Sequence, residues 1–266
     1  MYICFMKYNV YQVDAFANQV FSGNPACVIP LKKWISDSIL LKIAQENSVS
    51  ETAFFIDNGH DIHLRWFTPD QEIDLCGHAT LATAHVLKSI LQYPLNEIKF
   101  NTMSGILKVN CKDNFYYLDF PSRKPSLALL PQKIELALNI QPKEVFKSRD
   151  YMLVYDTQQE IEDLKINRYF FDQINLGYGG VIVTAKGDLV DFVSRYFTPQ
   201  ATILEDPVTG SAHCTLIPFW SSRLLKKKLE ALQISNRGGR LLCLDMLDRV
   251  IIGGEARVFS RGEFII

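Results

Sequence analysis

The sequence predicts an α/β (α+β) protein made of two similar halves, each a curled, mostly antiparallel or mixed sheet wrapped around a central helix. Three observations lead to this fold class. A five-residue motif recurs 130 positions along the chain, strand-like runs flank both copies, and each copy is followed by a glycine that opens an apolar helix. The chain of 266 residues is long enough to bury a core in each half.

The repeated motif reads Arg-Trp-Phe-Thr-Pro at 65–69 and Arg-Tyr-Phe-Thr-Pro at 195–199. The predicted helices after the two copies begin at Gly77 and Gly210, an offset of 133, so about three residues are inserted in the second copy. The same offset joins Gly105 to Gly238. Strands are predicted at 52–56, 62–67 and 106–110 in the first half, and at 181–184, 189–197 and 241–244 in the second. Conserved order and spacing within one chain predict a duplication with a pseudo-two-fold axis.

The two helices after the motifs are apolar nearly all round, which is typical of buried helices. Pro218 lies inside the second and is expected to kink or end it. Segments 131–147 and 158–171 are predicted to be helices on the outside of the second half. We place the boundary near residues 121–125. The halves are then 1–120, joined by a last strand at about 258–266, and 121–257.

Composition excludes several classes of function. The chain has 28 Lys and Arg against 29 Asp and Glu, a net charge of -1, so nucleic acid or an anionic membrane is not an expected partner. No apolar run approaches the roughly 18 residues that span a bilayer, and no targeting segment is evident. The six cysteines include no C-x-x-C pair. Reduced thiols in the cytoplasm are therefore expected.

Candidate chemistry concentrates at the two helix starts. The first turn of a helix presents unpaired N–H groups and a partial positive charge, and glycine lets a ligand approach them closely. The starts at Gly77 and Gly210 are thus candidate carboxylate-binding turns. Glu51 stands at the head of an apolar strand. It is either a solvated strand-start residue or a general acid/base whose pKa apolar neighbours raise.

Patterns for other chemistries are incomplete. There is no P-loop, and the glycines at 177–180 lead into a strand rather than a helix, so no cofactor is predicted. The segment His60-Asp61-Ile62-His63 lacks a third ligand nearby, so no metal site is predicted. Asp206, Ser211 and His213 carry the residue types of a hydrolase triad without the G-x-S-x-G elbow.

Several segments closely resemble the PhzF-like family, which is named for a phenazine-biosynthesis isomerase and is related in fold to diaminopimelate epimerase. The resembling segments are 47–54, 65–69, 74–80 and 205–212, with further likeness at 23–26 and 253–256. The resemblance implies two similar halves with the active site between them, and makes a homodimer plausible. It implies that Glu51 is the acid/base, that His78, Asp206 and Ser211 are active-site residues, and that Gly77 and Gly210 start the two helices.

Cys76 stands where the epimerase has the first of its two catalytic cysteines. Its counterpart in the second half falls between Asp206 and Thr209, depending on where the insertion is placed, and no cysteine lies there. A two-thiol racemase is therefore disfavoured. We expect Cys76 to be a small buried thiol beside the substrate.

The predicted function is a cofactor-independent isomerase acting on a small carboxylate-bearing metabolite in the cleft between the halves. Glu51 moves a proton, with either a double-bond shift or an epimerisation as the outcome, while His78 and Asp206 orient the substrate. The alternative is a protein of the same fold that binds a small metabolite without turnover.

Overall fold

The computed structural model describes residues 6–59 and 61–266; Cys4 and His60 therefore lie outside the described residues. The chain divides into two compact units, one formed by 1–119 together with 253–266 and the other by 120–252. The last strand thus belongs to the first unit, and the chain returns to that unit at Gly253, a few residues before the expected position.

The elements of the first unit, in chain order, are β1 (Lys7–Ala15), β2 (Asn24–Pro30), α1 (Asp37–Asn47), β3 (Glu51–Asp57), β4 (Ile62–Phe67), β5 (Glu72–Ile73), α2 (Gly77–His85) with a π-helical turn (Val86–Ile90), β6 (Glu97–Thr102) and β7 (Gly105–Lys112). The strand β8 (Phe115–Pro121) leads into the second unit.

The elements of the second unit are β9 (Ser126–Leu127), α3 (Gln132–Ala137), β10 (Glu144–Lys147), β11 (Tyr151–Val154), α4 (Gln158–Glu162), α5 (Arg168–Phe171), β12 (Val181–Lys186), β13 (Phe192–Phe197), α6 (Gly210–Leu224), β14 (Lys228–Gln233) and β15 (Gly239–Asp245). The strand β16 (Arg249–Gly254) leads back to the first unit, where β17 (Ala256–Ile265) completes it.

The two units share one order of strand pairing. In the first, β2–β3 is parallel, β3–β4 antiparallel, β4–β6 parallel and β6–β7 antiparallel. In the second, β11–β12, β12–β13, β13–β14 and β14–β15 repeat these four orientations. In each unit the chain forms a buried helix between the third and fourth strands, because a parallel pair needs a crossover connection. The α/β fold class and the duplication are therefore confirmed, with mixed sheets.

The register of the motif is also repeated. Arg65 lies opposite Phe54 in β3, and Arg195 lies opposite Val183 in β12. Each arginine forms a two-point ion pair with a glutamate from the next segment, Glu72 or Glu205, at 2.7–2.9 Å. Fork-to-carboxylate geometry of this kind fixes both partners. The motif is therefore a structural brace between a strand and the turn that leads to the buried helix.

The insertion can now be located. In the first unit Phe67 pairs with Glu72, and in the second Phe197 bridges to Glu205. The longer loop therefore lies before Glu205, and Asp206 follows the insertion. From here the offset of 133 places Thr209 at the position equivalent to Cys76. It likewise places Ser211 at the position equivalent to His78.

The central helices are buried as predicted. Residues 77–84 of α2 are all buried, and the helix packs against β1, β2 and β3. Ten of the fifteen residues of α6 are buried. Pro218 does not end α6, which continues to Leu224. Proline lacks the N–H that would bond the carbonyl four residues back. That carbonyl, on Cys214, instead accepts from the N–H of Arg123 at 2.8 Å, so nothing is left unpaired.

Other local expectations were wrong in part. Of the segment 131–147 only α3 is helical, and 144–147 forms β10, which pairs with both β9 and β11. Segment 158–171 is two short helices rather than one. The strand expected at 189–197 begins only at Phe192. Gly105 and Gly238 both have positive φ, but pairing sets Gly105 opposite Thr102 and Gly239 opposite Gln233, one residue later in the second copy.

Within the part of the chain that the structure describes, no helix is both long and apolar enough to cross a bilayer.

Candidate active site

The start of α2 brings three predicted site residues together. Glu51 is the first residue of β3, Cys76 is the N-cap of α2, and His78 is the second residue of that helix. The side chain of Glu51 is 15% exposed and that of His78 is 3% exposed. The Cys76 side chain makes no capping hydrogen bond. The N–H groups of the first helical turn are therefore not claimed by the cap side chain and remain suited to an anionic group.

Glu51 and His78 form a close buried pair. Oε2 of Glu51 lies 3.0 Å from Nε2 of His78. Neither atom forms a hydrogen bond of good geometry. The contact is thus an ion pair that is not locked by an aligned hydrogen bond.

The other face of the imidazole meets Asn24. Nδ1 of His78 lies 3.1 Å from Nδ2 of Asn24 and 3.6 Å from Sγ of Cys76. The Asn24 side-chain amide offers both a donor and an acceptor, so it can pair with Nδ1 whether or not that ring nitrogen carries a proton. Gly23 makes this placement possible, since its φ is +68° and a Cβ there would lie 2.2 Å from the carbonyl oxygen of Ala15.

Electrostatics favour a proton in this cluster. Burial alone lowers the pKa of His78, but the interactions with Cys76 and Glu51 outweigh burial and raise that pKa well above 6.5. Burial raises the pKa of the Cys76 thiol to about 11. The thiol is therefore neutral near pH 7, and Glu51 is the charge that favours protonated His78. The cluster holds one readily shared proton between a carboxylate and an imidazole.

The start of α6 is a hydrogen-bonded turn. Thr209, its N-cap, donates from Oγ1 to Oδ2 of Asp206 at 2.6 Å. Gln233, 1% exposed, accepts from the Thr209 N–H at 2.8 Å and donates to the Asp206 carbonyl at 2.8 Å. Ser235 donates from Oγ to the carbonyl of Pro207 at 2.8 Å. The backbone from 206 to 209 is therefore held by β14 and the loop that follows it.

Ser211 contacts a fixed cation. Its Oγ accepts from Nη2 of Arg149 at 3.0 Å, and the same guanidinium lies 3.1 Å from the carboxylate of Asp150. Asp150 is fully buried and also accepts from the N–H of Gly180 and the hydroxyl of Tyr196, at 2.9 and 3.0 Å. Burial opposes the charge of Arg149, but Asp150 outweighs it and raises the pKa of the guanidinium. A positive charge is thus held at the positive end of a helix.

His213 is not part of a hydrolase arrangement. Its Nδ1 donates to the carbonyl of Thr209 at 2.8 Å, and burial lowers the pKa of its imidazole to about 4. This histidine is a neutral core residue that braces the turn. The equivalent residue of the first unit, Thr80, donates from Oγ1 to the carbonyl of Cys76.

Three side chains at the two helix starts were not predicted from the sequence: Asn24, Arg149 and Gln233. Asn24 lies in segment 23–26, where the sequence signal is the family resemblance. Arg149 stands next to Asp150 just before the apolar strand β11, and a charged pair at that place is a sequence signal for a buried ion pair. Nothing in the sequence marks Gln233, because its role depends on burial against a turn some 25 residues away in the chain.

The potential metal ligands that the structure brings together are not those of segment 60–63. Glu51, Cys76 and His78 each offer one ligand atom, and the three atoms lie within 4.8 Å of one another. Of the segment 60–63, the described residues Asp61 and His63 form an exposed ion pair at 2.8 Å.

Comparison with known proteins identifies the family. Residues 13–262 match the model of the phenazine biosynthesis-like protein family, PhzC-PhzF. A Pseudomonas aeruginosa protein named as an uncharacterised isomerase is 44% identical over 259 residues, covering 97% of this chain and 98% of its own. A Halalkalibacterium halodurans protein with the same kind of name is 42% identical over 264 residues, with 97% and 98% covered.

Solved structures agree. The PhzF family protein of Enterococcus faecalis is 46% identical and superposes with a TM-score of 0.93 over 98% of this chain and 100% of that one. A hydroxyproline epimerase of Agrobacterium vitis shares the fold alone, with 12% identity, a TM-score of 0.64, and 98% and 93% covered. The chain therefore belongs to the phenazine biosynthesis-like, PhzC-PhzF family and is an isomerase of the PhzF-like kind.

Proposed function

We propose that this isomerase moves a proton on a small carboxylate-bearing metabolite, with Glu51 as the acid/base. The observation that carries the proposal is the buried ion pair of Glu51 and His78 at the open first turn of α2. A buried acid beside a proton-holding imidazole, without an aligned hydrogen bond between them, is suited to exchanging a proton with a third group.

Of the two helix starts, that of α6 is the better site for a carboxylate. A second carboxylate at the start of α2 would meet the charge of Glu51 across a buried environment, where like charges repel strongly. At α6 the neighbouring carboxylates are already partnered, Asp150 by Arg149 and Asp206 by the Thr209 hydroxyl, and the helix end and the Ser211 hydroxyl favour an anion. Gly210, which opens that helix, leaves its N–H accessible.

The proton transfer then follows from charge stabilisation. Neutralising the substrate carboxylate stabilises the enediolate that forms when a neighbouring C–H is broken. Glu51 accepts that proton and the C–H electron pair moves into the substrate. The same proton returns to another carbon, which shifts a double bond, or an acid on the opposite face supplies one, which inverts a centre. His78 holds the Glu51 carboxylate in place, and Cys76 and Gly77 border the reacting group.

Asp206 serves the turn and the substrate. Its Oδ2 accepts from Thr209, which orients the carboxylate at the start of α6. We assign it to a substrate group other than the carboxylate, such as an amine or hydroxyl that donates a hydrogen bond.

The test is a panel of small unsaturated and hydroxylated amino acids and related carboxylates in deuterated water, followed by mass spectrometry. We expect one compound to gain deuterium or change into an isomer with wild type. Glu51→Gln should lower that rate by about 10²–10⁴, the range for loss of a general acid/base. Glu46→Gln, on the exposed face of α1, is the matched control and should retain full activity.

Full activity of Glu51→Gln on an authentic substrate would remove the assignment. Thermal stabilisation by a panel member, with neither label nor product, would instead favour a protein that binds a metabolite without turnover.

A further inference from the structure

The side chains at the start of α2 also form a set of metal ligands. Glu51, Cys76 and His78 supply a carboxylate, a thiol and an imidazole, and their ligand atoms lie within 4.8 Å of one another. These are the three ligand types that zinc uses. Zinc sites with an open position have three protein ligands and a fourth position for water or a small molecule. The composition and number of the ligands therefore match a three-ligand zinc site.

Two of these ligand atoms are buried and lack an aligned partner. Nε2 of His78 and Oε2 of Glu51 form no hydrogen bond of good geometry. The side chain of His78 is nevertheless only 3% exposed. The opposite ring nitrogen, Nδ1, faces Asn24 at 3.1 Å. A metal-binding imidazole characteristically has its second nitrogen oriented by an amide, carbonyl or carboxylate. Nε2 is thus the ring atom directed at a ligand, and Asn24 is its orienting residue.

The distances require only a small adjustment. Bond lengths of 2.0–2.3 Å in a tetrahedral zinc site place ligand atoms roughly 3.3–3.8 Å apart. Oε2 of Glu51 and Nε2 of His78 are already 3.0 Å apart. The three residues' ligand atoms lie within 4.8 Å of one another, and Sγ of Cys76 is 3.6 Å from Nδ1 of the same imidazole, so a change of the Cys76 rotamer is needed to bring Sγ to a metal at Nε2.

We propose that Zn²⁺ binds Glu51, Cys76 and His78 and thereby inhibits the isomerase. This inference rests on the proposed function, because inhibition follows only if Glu51 is the acid/base. On binding, the Cys76 thiol and Nε2 of His78 each release a proton to solvent, and the thiolate sulfur binds the metal. The Glu51 oxygen and His78 Nε2 each donate a lone pair. A carboxylate oxygen bound to zinc no longer takes a proton from carbon, so turnover stops while the fold stays intact.

Binding is tested first, without substrate. Zinc is titrated against a chromophoric chelator, and cobalt(II) serves as a spectroscopic probe for a thiolate ligand. We expect one metal ion per chain and a thiolate-to-cobalt absorption band. Cys76→Ser and Cys76→Ala should weaken binding at least tenfold and abolish the band, with unchanged melting curves in the absence of metal. Cys111→Ser is the matched control, since Cys111 is a partly exposed cysteine outside this cluster, and it should bind as wild type does.

Inhibition is then tested with the isomerase reaction. Zinc should reduce turnover of the wild type and of Cys111→Ser at the concentration at which it binds, and a chelator should restore it. The turnover of Cys76→Ser, expressed as a fraction of its own rate without zinc, should fall only at a zinc concentration at least tenfold higher. If Cys76→Ser bound zinc as tightly as the wild type, the proposed site would be wrong. If zinc increased turnover, the proposed inhibition would be wrong. Zinc binding through Cys76 in a protein without isomerase activity would refute the proposed function alone. Turnover that depends on Glu51 but ignores zinc would refute this inference alone.

Discussion

The starts of α2 and α6 have the same backbone plan and opposite chemistry. Each helix opens with a glycine after an N-cap residue in extended conformation, Cys76 or Thr209. In each unit a serine hydroxyl donates to a carbonyl of the turn before the helix. Ser104, after β6, donates to the carbonyl of Asp74, and Ser235, after β14, donates to that of Pro207. The first start carries a proton-holding pair, whereas the second carries a fixed cation.

The register explains why the acid occurs only once. Glu51 immediately precedes the residue of β3 that pairs with Phe67, and Gly180 immediately precedes the residue of β12 that pairs with Phe197. A Cβ at Gly180 would lie 2.5 Å from the Tyr196 ring, so no side chain is accommodated there. The duplication has thus kept the turn that presents N–H groups, while only the first copy carries a carboxylate at this position.

The largest stability effect is expected at the turn of α6. Gln233→Ala removes three hydrogen bonds that Gln233 makes to Asp206 and Thr209 and leaves buried groups unpaired. We expect the free energy of unfolding to fall by about 3 kcal/mol. Thr102→Ala, at the equivalent position by strand register, removes two exposed bonds, one to the Gly105 carbonyl and one from the Ser104 N–H, and should cost about 1 kcal/mol. Urea denaturation of both variants measures the difference, and equal losses would mean that the two turns are held alike.

The next effect concerns substrate binding at α6. Arg149→Gln should raise KM for the carboxylate substrate by about 10–100-fold, or roughly 1.4–2.7 kcal/mol, with a smaller change in kcat. The reason is that the cation contacts Ser211 at the proposed carboxylate position. Arg223→Gln, which breaks a surface pair with Glu144 at the other end of α6, is the control. If kcat fell with KM unchanged, Arg149 would act on the reaction rather than on carboxylate binding.

The repeated arginines allow a matched pair of variants. Arg195 donates to Glu205 and also to the carbonyls of Ile161 and Leu164, whereas Arg65 pairs with Glu72 and the exposed Asp37. Lysine cannot reproduce a forked contact. We expect Arg195→Lys to lower the free energy of unfolding by about 2 kcal/mol and Arg65→Lys by about 1 kcal/mol. Thermal unfolding of the pair would contradict this if Arg65→Lys were the more damaging.

The smallest effect is on pH dependence. Burial lowers the pKa of His213 to about 4, so below pH 6.5 the unfolded chain takes up a proton that the folded chain refuses. This histidine therefore makes stability fall as the pH drops from 6.5 towards 4. His213→Thr introduces the residue type of the equivalent Thr80. Between pH 7.5 and pH 5.5 its free energy of unfolding should fall by about 1 kcal/mol less than that of the wild type. Parallel curves for the two proteins would show that His213 does not titrate as inferred.

The sequence alone determined the duplication, the two buried helices and the candidate residues. These features depend on local patterns: the Arg-x-Phe-Thr-Pro repeat, the all-apolar runs after Gly77 and Gly210, and alternation in the strands. Local patterns also misled where contacts outweigh propensity. Segment 144–147 became a strand because β9 and β11 pair with it, and α6 continued through Pro218 because the N–H of Arg123 satisfies the Cys214 carbonyl.

Tertiary structure decided which groups meet. Glu51 and His78 are 27 positions apart in the chain, and Asn24 is a further 27 away, so only the packing of β2, β3 and α2 makes them one cluster. The sequence could not show Arg149 reaching Ser211 across 62 positions, nor Gln233 holding the turn of Thr209. Charge and hydrogen-bond partners depend on distance and burial, and a linear pattern specifies neither. For that reason the sequence names the residue types of the site, while the fold sets their protonation and their ligands.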